Sequence, residues 1–147
     1  MNSNSFFAKI LLFGEYGIIK NSKGISIPLN LYSGSLNIDS SVSEKIKLSN
    51  QQIKSFYDFL KLKFDNDKFN FKTFYSDINN GLYFKSSIPS GYGVGSSGAL
   101  VAAIYDKYFL NKIKREKKID VEKIIILKNI FLKMESFFHG EWSGIDP

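Results

Sequence analysis

Between Pro89 and Ala99 the chain reads Pro-Ser-Gly-Tyr-Gly-Val-Gly-Ser-Ser-Gly-Ala. Gly91, Gly93 and Gly95 alternate, and Gly98 follows. Glycine reaches backbone conformations closed to other residues and lets a ligand approach the main chain closely. Ser96 and Ser97 stand where an apolar helical pattern begins. The first N–H groups of a helix have no partner within it, and its dipole favours an anion there. A glycine-rich loop entering a helix is therefore a phosphate-binding element. Pro89, Gly91, Gly93, Val94, Gly95, Ser96, Ser97, Gly98 and Ala99 are its predicted contact residues. The serine hydroxyls can cap the helix, meet phosphate oxygens or reach Mg²⁺.

Competing phosphate motifs fit less well. A Walker loop ends in Gly-Lys-Ser/Thr, whereas Ser96-Ser97-Gly98 stands here without a lysine. Gly93, Gly95 and Gly98 meet the GxGxxG pattern. That fingerprint also wants a second parallel strand and an acidic residue about 20 positions on. Residues 99–138 read mainly as helix instead, and Asp120 opens one.

Four other residues could carry chemistry. Lys9 interrupts the apolar run Phe6–Phe13, where a lysine either finds a partner or snorkels from the strand. Glu135 lies beside the apolar seam of the last helix and wants a cation there, although a helix Glu is ordinarily solvated. His139 follows one turn later. Asp146 sits in a glycine-containing loop, as a base aimed into a cleft or as an ordinary loop carboxylate. Gly140-Glu-Trp-Ser-Gly144 lacks the Gly-x-Ser-x-Gly order of a hydrolase elbow.

The elements that must position these residues follow from periodicity. Phe6–Phe13 predicts a buried strand, Gly14–Gly17 a turn, and Ile18–Ile19 the start of a return strand. Ile25–Pro28 and Gly34–Ile38 predict two short antiparallel strands. Residues 39–49 are polar and predict a loop, with room for another strand. A helix capped by Asn50 would bury Ile53, Phe56, Tyr57, Leu60 and Phe64. Phe69–Tyr75 and Leu82–Ser86 predict strands. Ser96 or Ser97 would cap a helix burying Leu100, Val101, Ile104, Tyr105 and Tyr108. A charged connector at Asn111–Lys118 leads to a helix capped by Asp120, with a seam of Ile124, Leu127, Phe131, Met134 and Phe138. Strands with inserted helices make the expected class α+β, in one domain.

Composition removes several functions. The chain has no cysteine, which excludes disulfides and thiolate chemistry and fits a reducing cytoplasm. One histidine cannot anchor a His-rich metal site. No apolar run approaches the roughly 20 residues of a membrane span. The net charge of +6 is almost wholly lysine, Arg115 being the sole arginine. Nucleic-acid readers lean on arginine, so solvated lysine is the expected origin, with no nucleic-acid or membrane partner.

The glycine loop resembles the central motif of the GHMP kinases, Pro-x-x-x-Gly-Leu-Gly-Ser-Ser-Ala/Gly, with Val94 in place of Leu. Ala8–Tyr16 resembles the family's first motif, and Tyr16 replaces the His of its mevalonate kinase branch. His139–Asp146 resembles that branch's His-Gly-x-x-Ser-Gly-x-Asp segment. The family's motif in its C-terminal domain has no counterpart. The resemblance thus covers residues 1–147 as an N-terminal half, and a C-terminal portion is expected to be missing.

The resemblance implies a ribosomal protein S5 domain 2-like fold and an ATP- and Mg²⁺-dependent kinase acting on a small-molecule alcohol. Mevalonate is the preferred acceptor, with phosphomevalonate or homoserine as alternatives, and a homodimer is allowed. It implies Asp146 as the catalytic aspartate and Lys9 as the charge beside it. Ser97 and Glu135 would hold Mg²⁺, Ser96 being next in line. Glu15, His139 and Ser143 would face the acceptor. A nucleotide-holding fragment without turnover is the other expectation, and a lysine- and aromatic-based RNA binder a third.

Overall fold

The computed structural model describes residues 4–13, 25–41, 43–113 and 120–139. Three strands form one antiparallel sheet in the order β1-β2-β3: β1 (Phe6–Phe13), β2 (Ile25–Ile38) and β3 (Leu82–Ser86). Four helices accompany it: α1 (Glu44–Lys63), α2 (Phe71–Asn79), α3 (Ser96–Tyr108) and α4 (Val121–Glu135). The class is α+β.

The two short strands expected at 25–28 and 34–38 are one strand. Its first half pairs with β1, Ala8 opposite Leu29, and its second half pairs with β3, Leu36 opposite Phe84. Gly34 faces Phe6 on one side and Ser86 on the other. A Cβ at Gly34 would overlap the Phe84 ring, so the bare backbone there seats an aromatic side chain. β1 is less covered than its sequence predicts. Ala8 is buried, while Phe7, Leu11 and Leu12 are exposed.

Phe69–Tyr75 is not a strand. Asn70 accepts a hydrogen bond from the Thr73 N–H at 3.1 Å and caps α2. Phe71, Phe74 and Ile78 then fall on one buried face at helical spacing. Phe69 alone keeps a β-bridge, to Phe109. The alternation of Phe69 and Phe71 mimics a strand because both rings enter the same core from the ends of different elements.

α1 also starts before its expected cap. Ser43 is at the N-cap, and the first turns lie on the surface, which gives 39–49 its polar composition. Asn50 lies inside the helix and donates to the Ile78 carbonyl at 3.0 Å and the Leu82 carbonyl at 2.7 Å. It ties α1 to the end of α2 and the start of β3. Of the predicted face, Ile53, Phe56, Tyr57 and Leu60 are buried, while Phe64 stands at the C-cap and is only partly buried.

α3 buries Leu100, Val101, Ile104, Tyr105 and Tyr108, as its period predicts. Tyr108 stacks on Phe74 with ring centroids 4.2 Å apart and donates to Asp77 at 2.7 Å. Lys107 pairs with the same carboxylate at 2.9 Å. Burial, then the bond to Asp77, hold the phenol neutral well beyond its ordinary range. Asp120 is at the N-cap of α4, but its side chain makes no capping bond. Met134 is fully buried; Leu127, Phe131 and Phe138 are partly so, and Ile124 is 49% exposed. The predicted seam is therefore sealed only at its C-terminal end. Among the described residues no helix is long and apolar enough to cross a membrane. The predicted turn at Gly14–Gly17, the return strand at Ile18–Ile19, part of the Asn111–Lys118 connector and the closing loop lie outside the described residues.

Candidate phosphate and metal site

The glycine loop joins β3 to α3 and closes one wall of a cavity of about 580 Å³. Every loop residue from Pro89 to Gly98 lines it except Tyr92, which stands 80% exposed at the tip. Gly91 and Gly93 have φ of 82° and 67°. A Cβ on either would meet nothing within 4 Å, so glycine serves the backbone turn there.

Gly95 has a second reason to be glycine. It occupies the N-cap of α3 with φ 81°. A Cβ there would come within 2.8 Å of Lys9 Cγ. No serine side chain caps this helix, contrary to the sequence reading, because Gly95 takes the cap position in the left-handed region. No side-chain cap thus occupies the first N–H groups of α3.

Lys9 is not buried, contrary to what its apolar neighbours suggest. Its stem packs on Gly95, and its N–H donates to the Val94 carbonyl at 3.0 Å. That bond fastens β1 to the loop. Lys9 lines both the loop cavity and a second cavity of about 570 Å³ on its other side. Gly95, Gly98, Glu135 and His139 are common to the same two linings. Ala99 lines the second cavity and is buried against Ala8 and Ile88.

The sequence separates Ser97 and Glu135 by 38 positions, yet Ser97 Oγ donates to Glu135 Oε2 at 3.3 Å. His139 Nε2 lies 2.9 Å from the same oxygen. A Cβ at Gly98 would stand 3.1 Å from Glu135 Oε1. Two protein residues, one hydroxyl and one half-buried carboxylate, therefore converge on the first turn of α3. The order is serine–carboxylate–histidine, so His139 does not touch Ser97 and cannot serve it as a base.

The donor set fits Mg²⁺. That ion takes one or two protein oxygens at about 2.1 Å in octahedral geometry and fills the rest with water and phosphate; two adjacent ligands then stand about 3.0 Å apart. The 3.3 Å between Ser97 Oγ and Glu135 Oε2 is close to that spacing. His139 is 69% exposed. Among the described residues no group of three or more His, Asp or Glu gathers as a self-sufficient metal cage.

Gln52, Phe84 and Phe138 also line the loop cavity. Sequence reasoning did not assign them to the site. Gln52 carries no local signal, since α1 meets the loop only through the folded sheet. Glu15, Ser143 and Asp146 lie outside the described residues. No protein family, no curated protein and no solved structure matches the chain.

Proposed function

We propose that the chain is the nucleotide-binding half of an ATP- and Mg²⁺-dependent kinase of the GHMP type. It has the S5 domain 2-like fold and transfers phosphate to a small-molecule hydroxyl, with mevalonate the preferred acceptor. One observation carries the reading: the Glu135 carboxylate sits against Ser97, on the anion-attracting end of α3. A phosphate arriving at that end meets a negative charge already there. A bridging cation lets both remain.

The residues then divide the work of phosphoryl transfer, which is chiefly positioning and charge neutralisation. The loop from Pro89 to Gly98 and the first N–H groups of α3 bind phosphate oxygens. Ser97 and Glu135 hold Mg²⁺, which supplies neutralisation of the phosphate charge when bound. Lys9 brings a cation to the border of the two cavities and stabilises charge on the transferred group. Asp146 accepts the proton of the attacking hydroxyl, and Glu15, His139 and Ser143 orient the acceptor.

The test is ³¹P NMR of the purified chain with ATP, Mg²⁺ and mevalonate. Appearance of ADP and a phosphomonoester together supports the kinase. Saturable MgATP binding without turnover supports the alternative of a nucleotide-holding fragment. Absence of MgATP binding rejects both. In a turning-over enzyme, Asp146→Asn is expected to remove nearly all turnover while MgATP still binds.

A further inference from the structure

A third cavity, of about 620 Å³, lies between the N-terminal end of α1 and the β2–β3 ribbon. In its lining, Lys45 comes from α1 and Lys85 from β3, and no carboxylate is present. Among the described residues no acid pairs with either lysine. Ser35, Ser43, Ser49 and Ser86 add hydroxyls.

Three of those hydroxyls are already oriented. Ser49 Oγ accepts from the Phe84 N–H at 2.9 Å, Ser86 Oγ from the Ile88 N–H at 3.0 Å, and Ser35 Oγ from Asn37 Nδ2 at 3.0 Å. A hydroxyl that accepts from the protein keeps its own proton to donate elsewhere. Ser43, at the α1 N-cap, spends no side-chain bond on the helix. The lining therefore holds hydroxyl-bearing residues and two lysines, and no carboxylate.

We propose that this cavity is a second oxyanion site that binds a phosphate group. The site stands apart from the reading of the glycine loop and does not need it. The two regions nevertheless communicate. A smaller cavity between them shares Lys45, Ser49 and Phe84 with the lysine–serine cavity, and Gln52, Phe84 and Ser96 with the loop cavity. The bound phosphate is thus either a free anion or the far end of a nucleotide lying along the groove.

Amide NMR titrations of the full chain at fixed ionic strength separate these sources. The probes are inorganic phosphate, AMP and adenosine 3′,5′-bisphosphate. Inorganic phosphate is expected to shift Ser35, Ser49 and Lys85 saturably. Lys45→Gln/Lys85→Gln should weaken that binding about tenfold or more, the loss expected for charge-assisted bonds. Lys54→Gln/Lys61→Gln, which changes the same number of charges elsewhere on α1, should leave it unchanged. Tighter binding of the bisphosphate than of AMP, lost with Lys45 and Lys85, identifies the far end of a nucleotide. Phosphate binding without that gain identifies a free anion. Equal behaviour of the wild type and Lys45→Gln/Lys85→Gln towards phosphate and bisphosphate overturns the site. A failure of MgATP to bind at the glycine loop leaves the result intact.

Discussion

Lys9 and Gly95 contest one volume: a methyl group on Gly95 would lie 2.8 Å from Lys9 Cγ. The backbone N–H of Lys9 bonds the Val94 carbonyl and holds the two main chains together, so any relief must come from rotation of the lysine stem. Gly95→Ala adds this contact to a left-handed backbone that costs a non-glycine residue about 1–2 kcal/mol. We expect a destabilisation of at least that size in denaturant unfolding. Lys9→Ala clears the space, and the Lys9→Ala/Gly95→Ala pair should be less unstable than the sum of its parts. Additive effects would show that the side chains do not meet.

Glu135→Gln keeps the shape and removes the charge at the start of α3. MgATP affinity is expected to fall by about tenfold or more, in line with lost metal support. ATP without Mg²⁺ should bind the variant better than the wild type, since the repelling carboxylate is gone. Calorimetry with and without the metal reads both changes, and their opposite signs separate a metal ligand from a packing residue.

Gly98→Ala brings a methyl group to within 3.1 Å of Glu135 Oε1. The carboxylate must give way by a few tenths of an ångström. Weaker Mg²⁺ dependence of nucleotide binding, with little loss of thermal stability, is the expected outcome.

Tyr108 makes stability depend on alkaline pH. Its folded pKa is raised, by burial first and by Asp77 second. The unfolded phenol loses its proton near pH 10. The contribution is complete below that pH and is lost as the pH rises beyond it, because only the unfolded chain then ionises. Burial raises Tyr57 too, ahead of Asp58 and Tyr75, so it works in the same direction. Tyr108→Phe should cost about 1–2 kcal/mol at neutral pH and flatten the alkaline decline. Denaturant midpoints at pH 7 and pH 10.5 test both parts.

Local backbone form was legible in the sequence, and long-range placement was not. The turn of the glycine loop could be read because Gly91, Gly93 and Gly95 act on their own backbone, whereas the serine caps expected there are absent. The faces of α1 and α3 could be read because their apolar residues repeat with the helical period. α2 was misread because nine residues hold too few turns for that period to outweigh the alternating Phe69 and Phe71. Asn50 looks like a cap, yet it bonds carbonyls 28 and 32 positions away. No window of sequence shows such partners. Ser97 and Glu135 were placed at one metal only through resemblance to a family, and it is the packing of α4 on α3 that brings them within hydrogen-bond distance.

Phe84 walls the loop cavity, the lysine–serine cavity and the smaller one between them. Its ring rests where Gly34 has no side chain. The empty space above one glycine in the middle of β2 thus helps set the wall of all three cavities, though Gly34 lines only one of them. Any larger residue at position 34 would lift the ring and reshape regions that otherwise meet only end to end. Selection at Gly34 would then answer to ligands that mostly never touch it.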